Sequence, residues 1–381
     1  MQKYLKKIFI GVFIVSITLP KLIFPFAQKW VDTTNYENRE LAIKPQISET
    51  AITQYPEAYE AYFNDHLPFQ NQLRMVNSAL KIRLFHSLDS DNVLLGKEGW
   101  LFYKAENCLE DYKGTLSYSE EELHDMKQNM EYIKKWFSDR NIELVVSIIP
   151  NKCEVYHKYM PKSVQICNTV SRTQQAVEYI NAEMEIPLLY DLDYLIEKSE
   201  KQQTYYKYDT HWNYVGGYYG AQRIGKALGK EIPDFKEEDL VDWTTEVFPL
   251  ASQQEGTLCD LSMMISLPRI YDISKDSKKL INYKPEVQFT YDRVSSYSDV
   301  DTMEYHSNAE DSRHLVMIGD SFSNLDIPYL AKEFQECSQI GYGHYEENYI
   351  TDKNPDIVVF QFVERRAIRF DQIIMDILKM E

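Results

Sequence analysis

Cysteine is sparse in this chain and does not cluster: Cys108, Cys153, Cys167, Cys259 and Cys337 fall in no Cys-x-x-Cys or zinc-ligand spacing. That scatter argues against a structural zinc site and a disulfide framework. Cys153 and Cys167 remain as a pair that could close one short loop outside the cell. Positive charge is in deficit as well. With a formal charge of −18, the chain would be repelled by a phosphate backbone, which excludes nucleic-acid binding. An anionic polysaccharide could dock only where a groove is locally basic. Repeats and low-complexity stretches are absent. No small-x-small cleavage site follows the apolar N-terminus, since Phe26-Ala27-Gln28 fits poorly.

Hydrophobic residues at 44% and charged residues at 26% are ordinary for a globular protein, and 381 residues can form one large or two modest domains. Lys3, Lys6 and Lys7 precede the apolar run Ile8 to Leu19; Pro20 and Lys21 interrupt it, and Leu22-Ile23-Phe24-Pro25-Phe26 resumes it. Basic residues before an apolar core predict an uncleaved signal-anchor over 1–27, a single transmembrane helix with its N-terminus in the cytoplasm. A polar juxtamembrane linker over 28–56 follows. Residues 57–381 are then one catalytic domain outside the cytoplasmic membrane.

Apolar positions at helical spacing predict one or two helices between Glu57 and Phe85. Val93-Leu94-Leu95 and Trp100 to Tyr103, flanked by Asp91-Asn92 and Gly96 to Gly99, read as a hairpin. Ser119 with Glu122 three residues on marks a helix start that runs to about Asp139. Ile142 to Ile149 is a continuous apolar strand of the kind covered on both faces. Helices over 170–183 and from Val215 to Leu228, with strands at 188–192, 315–318, 338–340 and 357–362 and a last helix near Arg369, complete an alternating pattern. The alternation predicts a three-layer α/β/α sandwich on a mostly parallel sheet. Residues 232–300 are less regular and read as an insertion covering one side of the site.

Two short stretches carry the chemistry. Asp209-Thr210-His211-Trp212 offers a carboxylate and an imidazole two residues apart, and Ile318-Gly319-Asp320-Ser321-Phe322 places a serine where a strand would end. A serine hydroxyl is a poor nucleophile at neutral pH unless an imidazole takes its proton and a carboxylate holds that imidazole's tautomer. Ser321, His211 and Asp209 supply these parts. Alone, Asp-x-His is usually a surface or capping pair, and Gly-Asp-Ser is usually a turn. Context separates them from those readings: Ser321 follows a buried strand, where ligands gather in open α/β sheets, and Trp212 gives the ring an apolar wall. Asp320 reads as a turn former. Asp65-His66, a rival acid-base pair, falls in the lead-in helices and reads as structural.

These stretches resemble the SGNH-hydrolase-like domain of the bacterial alginate O-acetyltransferases (AlgJ/AlgX type) and of the related DHHW family. Phe63-Asn64-Asp65-His66-Leu67-Pro68-Phe69, Gly96 to Tyr103, and Ile148-Ile149-Pro150-Asn151-Lys152 with Val155-Tyr156 match further segments of that pattern, so the resemblance runs from about residue 37 onward. Thr210 departs from it, standing where the DHHW name expects His; lying between the two catalytic types, it need not carry chemistry. The Asp/His block precedes the Ser block, as in the acetyltransferase branch.

The resemblance implies acetyl transfer to hydroxyls of a cell-surface or secreted polysaccharide, with a multi-pass membrane-bound O-acyltransferase as acetyl supplier; the residues themselves call for no metal or cofactor. Alternatives are a polysaccharide O-acetylesterase and a non-catalytic binding or export scaffold. Acyl transfer also needs oxyanion donors. The Ser321 backbone N–H is one candidate, and Asn324, Asn151 and Gln361 are side-chain candidates suggested by the wider SGNH class. Lys152, Tyr156 and Arg365 sit just past strand ends, where they would touch substrate or fix the adjoining loops; Glu364 beside Arg365 would form a buried ion pair.

Overall fold

The computed structural model describes residues 2–32, 34, 40–47, 52–88, 90–242, 259–268, 279–297, 300–346 and 348–379. It divides into two compact units, Met1–Ser90 with Ser262–Ile270, and Asp91–Leu261 with Tyr271–Glu381.

The first unit contains helices Gln2–Ala27, Tyr55–Asp65 and Gln70–Phe85. Among the described residues no helix is long and apolar enough to cross a membrane, which corrects the expected transmembrane helix. Pro20 and Lys21 break the apolar stretch before it resumes at Leu22, and a charged residue inside the roughly 20 residues that a bilayer core spans is costly. The periodic stretch 57–85 forms two helices. Pro68 disfavours helical backbone at Leu67, and Phe69 turns the chain with a left-handed φ of 62°. Asp65 accepts the Ala42 N–H at 2.8 Å and the His66 ring bonds the Tyr62 carbonyl at 2.9 Å, so this pair has local structural partners.

The second unit starts with an antiparallel hairpin, β1 (Val93–Leu95) and β2 (Leu101–Tyr103). The later strands are β3 (Glu143–Ile149), β4 (Leu188–Leu189), β5 (Leu240–Asp242), β6 (Lys279–Ile281), β7 (Phe289–Ser295), β8 (Thr302–Ser307), β9 (Asp311–Gly319), β10 (Phe334–Gly341) and β11 (Ile357–Val363). Seven of them make one sheet in the order β4-β3-β11-β9-β10-β8-β7, and β5 pairs with β6 separately. β4 through β10 in that order run parallel, whereas β8 and β7 are antiparallel. The sheet is therefore mixed rather than mostly parallel. β7 alternates between partly covered and exposed positions, the pattern of an antiparallel edge strand with one face toward solvent. For the same reason the end of the expected 232–300 insertion belongs to the main sheet, while 243–258, 269–278 and 298–299 lie outside the described residues.

Successive side chains of a strand point to opposite faces, and both faces of the parallel strands are buried. Val145, Leu315, Met317 and Val359 pack with Tyr214, Val215, Tyr218 and Ile224 of the helix Tyr214–Ala227. Val146, Val316, Ile318, Val358 and Phe360 pack on the other face with the helices Glu120–Ser138, Arg172–Glu183 and Phe370–Leu378. The result is three layers, α/β/α. Glu120–Ser138 turns Leu123, Met126, Met130, Ile133 and Phe137 inward at intervals of three and four residues, one face of a 3.6-residue period. Its start is a capping box: Ser119 Oγ accepts the Glu122 N–H at 3.2 Å, and Glu122 accepts the Ser119 N–H at 2.8 Å. Ser119→Ala removes one half of that exchange and should lower stability by about 1 kcal/mol, read as a shift in the urea midpoint. An unchanged midpoint would show that the box contributes nothing.

Candidate active site

β9 ends at Gly319, and Asp320 caps the single 3₁₀ turn Ser321–Leu325 that follows. Asp320 Oδ1 accepts the Phe322 N–H at 3.0 Å, and its Oδ2 accepts the Val363 N–H of neighbouring β11 at 2.6 Å. Burial pushes the Asp320 carboxyl up, and these two donors oppose the rise. Asp320 thus anchors the turn and leaves Ser321 just past the carboxyl end of a central strand.

The second stretch is the loop entering the helix Tyr214–Ala227, whose N-cap Asn213 accepts the N–H groups of Val215 and Gly216 at 3.0 Å. Gly217 and Gly220 let this helix approach closely. A Cβ on Gly217 would meet the Leu325 carbonyl oxygen at 2.1 Å, and one on Gly220 would meet the Trp212 ring at 2.3 Å. The buried Trp212 indole donates to the Phe322 carbonyl at 2.9 Å, joining loop to turn. Trp212 is therefore a strut, and Phe322 is the aromatic wall of the imidazole, with ring centres 4.9 Å apart.

Ser321, His211 and Asp209 lie in one hydrogen-bonded line. His211 Nε2 is 2.6 Å from Ser321 Oγ, and Nδ1 is 2.6 Å from Asp209 Oδ1. The Asp209 carboxylate also accepts the His211 N–H at 2.9 Å and the Asp260 N–H at 2.8 Å. A carboxylate beside Nδ1 fixes the proton there and leaves Nε2 as acceptor for the serine hydroxyl. Burial raises the Asp209 carboxyl, but the ring charge and the backbone donors outweigh it and hold it down at about 2. Burial works against a charged His211 ring, yet Asp209 and then Asp260 carry it above the usual histidine range.

Asp260 was not legible in the sequence. It comes from the irregular region, follows Cys259 with no recognisable spacing, and is brought in by the fold alone. Thr210 is likewise engaged: its N–H and hydroxyl both bond the Asp260 carboxylate. Among the described residues Asp209, His211 and Asp260 could offer ligand atoms to a cation, all within 4.8 Å. The 2.6 Å separation of Nδ1 and Oδ1 is instead a hydrogen-bond length, shorter than the roughly 3.3 Å between two ligands on one tetrahedral zinc.

The remaining candidates divide. The Arg365 guanidinium lies 5.6 Å over the Phe322 ring and 3.6 Å from Glu106, beside the site. Asn324 accepts from Gln339 at 2.8 Å, next to Ser321 in the same turn. Asn151 is 1% exposed and neither atom of its amide finds a hydrogen-bond partner. Gln361 is fully buried and donates to Asp326, and the Tyr156 hydroxyl takes the Thr204 N–H at 2.8 Å, so both brace the scaffold. Glu364 accepts from the Asn151 N–H, Ser171 and Tyr190, which corrects the expected ion pair with Arg365. Cys153 is a buried free thiol 3.6 Å from Cys108 and Cys167 is an exposed free thiol, so the loop-closing Cys153–Cys167 bond is not formed.

Lys152 is buried, and its ammonium donates to the carbonyls of Tyr206, Lys207 and Asp209 at 3.1, 3.2 and 2.6 Å. This one cation pins the loop that carries Asp209. Lys152→Met strips two buried acceptors and one partly buried acceptor of a donor and should cost about 3 kcal/mol, with faster proteolytic nicking between 204 and 211. A urea midpoint within error of wild type would contradict that role.

The family described as ALGX, "SGNH hydrolase-like domain, acetyltransferase AlgX", matches residues 93–336. "Probable alginate O-acetylase AlgJ" of Pseudomonas aeruginosa is 25% identical over 217 residues, 56% of this chain and 51% of that protein. Its Pseudomonas putida counterpart is 22% identical over 177 residues, 46% of this chain and 43% of that protein. The chain thus spans about half the length of the curated relatives it matches. The solved structure of a DHHW family protein from Eubacterium siraeum, 14% identical, superposes with a TM-score of 0.50 over 75% of this chain and 98% of that one, a likeness of fold.

Proposed function

From the premise that this chain belongs to the family of AlgX-type SGNH hydrolase-like acetyltransferase domains, we propose that it is a serine O-acetyltransferase acting on a polysaccharide outside the cytoplasmic membrane. The observation that carries the reading is the continuous line from Ser321 Oγ through His211 to Asp209, with both links at 2.6 Å. Ser321 attacks the carbonyl carbon of an acetyl donor while His211 Nε2 takes the hydroxyl proton. Asp209 holds the Nδ1 proton and stabilises the cationic ring. The oxyanion is met by the Ser321 backbone N–H at the start of its turn, with Asn324 and Asn151 as side-chain candidates. Collapse expels the donor's leaving group, which takes the proton from His211, and leaves acetyl-Ser321. A sugar hydroxyl then gives its proton to His211 and attacks the ester, releasing the acetylated sugar and restoring the serine. By family resemblance, a multi-pass membrane O-acyltransferase supplies the acetyl group. The basic-then-apolar N-terminal segment serves export.

Ser321→Ala and His211→Ala should each abolish transfer nearly as completely as the double variant, because the groups act as a unit. Asp209→Asn should lower the rate by about 10³ to 10⁴ while the fold is retained. The assay uses a nitrophenyl acetate donor, an oligosaccharide acceptor, and mass spectrometry for the acetyl-enzyme. A Ser321→Ala protein that still acetylates at the wild-type rate would end the proposal, and a wild-type protein that hydrolyses the ester without ever modifying a sugar would make it an esterase.

The pH profile is a separate test. The base must be neutral to accept a proton, and its charged form is favoured beyond the usual histidine range. Turnover should therefore rise with pH along an acid limb centred above about 6.5. A limb centred well below that value would mean a different group limits the reaction.

A further inference from the structure

The reaction proposed for Ser321 uses one carboxylate, yet a second stands beside the same ring. Asp260, the first residue of the short helix Asp260–Met264, meets the Asp209-Thr210-His211 segment reciprocally. Its N–H donates to Asp209 Oδ2 at 2.8 Å, and its Oδ1 accepts the Thr210 N–H at 2.8 Å. Its Oδ2 accepts the Thr210 hydroxyl, which itself lies 3.4 Å from His211 Nδ1. The same Oδ2 is 3.9 Å from Nδ1, close enough to act on the ring's charge but too far to replace Asp209 as its partner. We propose that Asp260 is a positioning residue for His211, clasping the loop through Thr210 and placing a second negative charge beside Nδ1 that stabilises the imidazolium.

The charges around the ring are mixed. Asp209 and Asp260 favour its positive form, Arg365 opposes it, and Asp320 faces it from the end of β9. Asp260 in turn feels burial first and the Asp209 charge second, which raise its carboxyl to about 6, while His211, Thr210 and Lys152 oppose the rise. As pH falls through that value Asp260 takes up a proton and its support for the ring is withdrawn. Asp209, held at about 2, stays ionised throughout. Two carboxylates near one imidazole therefore divide the work: one is a constant tautomer holder, the other a pH-dependent reinforcement.

The inference rests on the serine reading only for its effect on catalysis, and the test reads the ring in the resting full-length protein. Histidine labelled with ¹³C at Cε1 is titrated by NMR, with His211 assigned through the signal lost in His211→Asn. In Asp260→Asn the His211 midpoint should move to lower pH by about one unit, and Asp260→Glu should recover part of that movement. Asparagine keeps an oxygen for the Thr210 N–H, so a purely structural Asp260 would leave the midpoint in place, and that outcome overturns the proposal. The acid limb of nitrophenyl acetate turnover should follow the ring in the same direction. If Asp260→Asn does not fold, the wild-type protein decides with ¹³Cγ-labelled aspartate. A carboxyl titrating at about pH 6, with a matching step in the His211 ring shifts, supports the proposal; a ring curve without that step overturns it. Because no substrate is present, a protein that never acetylates a sugar leaves this result standing, and an unmoved ring leaves the serine reading standing.

Discussion

The site depends on bringing together two segments separated by 110 positions in the chain, and the Trp212 indole bonded to the Phe322 carbonyl is the link that does so. Such a bond forms only if helix and turn approach almost backbone to backbone. Gly217 permits that approach: with any side chain there, the Leu325 carbonyl would have to move. Gly220 gives the Trp212 ring its seat in the same way. The run Gly216-Gly217-Tyr218-Tyr219-Gly220 weakens the helix locally, and the packing of buried Tyr214, Tyr218 and Tyr219 offsets the loss. Catalytic geometry is thus set by a packing constraint some distance from the reacting atoms.

Around this link the interior is unusually polar, and most of its charges are committed. Asp320, Lys152 and Glu364 are all buried, and each bonds backbone groups of a neighbouring segment. Asp320 ties the serine turn to β11, Glu364 ties the end of β11 to the Asn151 amide after β3, and Lys152 ties the same segment to the Asp209 loop. A buried charge is expensive unless it is hydrogen-bonded, so each group tolerates few alternative arrangements of its neighbours. The carboxyl ends of three adjacent parallel strands, β3, β11 and β9, are cross-braced by these groups in addition to apolar contact.

What could be read in the chain before its structure follows a physical rule. β3, β9 and β11 are buried on both faces, so their apolar runs are continuous and stood out; Ser119 and Glu122 announced their helix because capping is a local interaction. Ser321, His211 and Asp209 were legible because two of the three share a tripeptide and the third closes a strand. β8 escaped: Thr302-Met303-Glu304-Tyr305-His306-Ser307 alternates with charges that find partners only after folding, such as Lys353 on Glu304. β7 falls in the stretch that reads as an insertion, because an edge strand has a polar outer face. Asp260 was invisible, since its role arises from tertiary contact with Thr210 and Asp209, and no local pattern encodes such a contact. The N-terminal segment differs the other way: its basic-apolar order suggests a span, whereas Pro20 and Lys21 interrupt the apolar stretch.

Exposure changes along the hydrogen-bonded line in a direction that suits its chemistry. The Asp209 side chain is 6% exposed and the His211 ring 26%, and Ser321 at the other end is also only partly buried. Charge buried at one end acts in low dielectric, where a carboxylate stabilises an imidazolium far more than it would in water. The serine end has the opposite requirement. Under the proposed function, a hydroxyl on a long polymer would have to meet the acyl-serine near the surface rather than in a closed cavity. Water attacking the same ester would release acetate, so under the proposed function transfer has to outcompete hydrolysis. Preference for a sugar must come from holding the acceptor over Ser321 long enough to outcompete water, an orientation effect. Under that reading Arg365, partly exposed beside the line, is the side chain placed to contribute, while Phe322 is fully buried behind the ring and only backs His211.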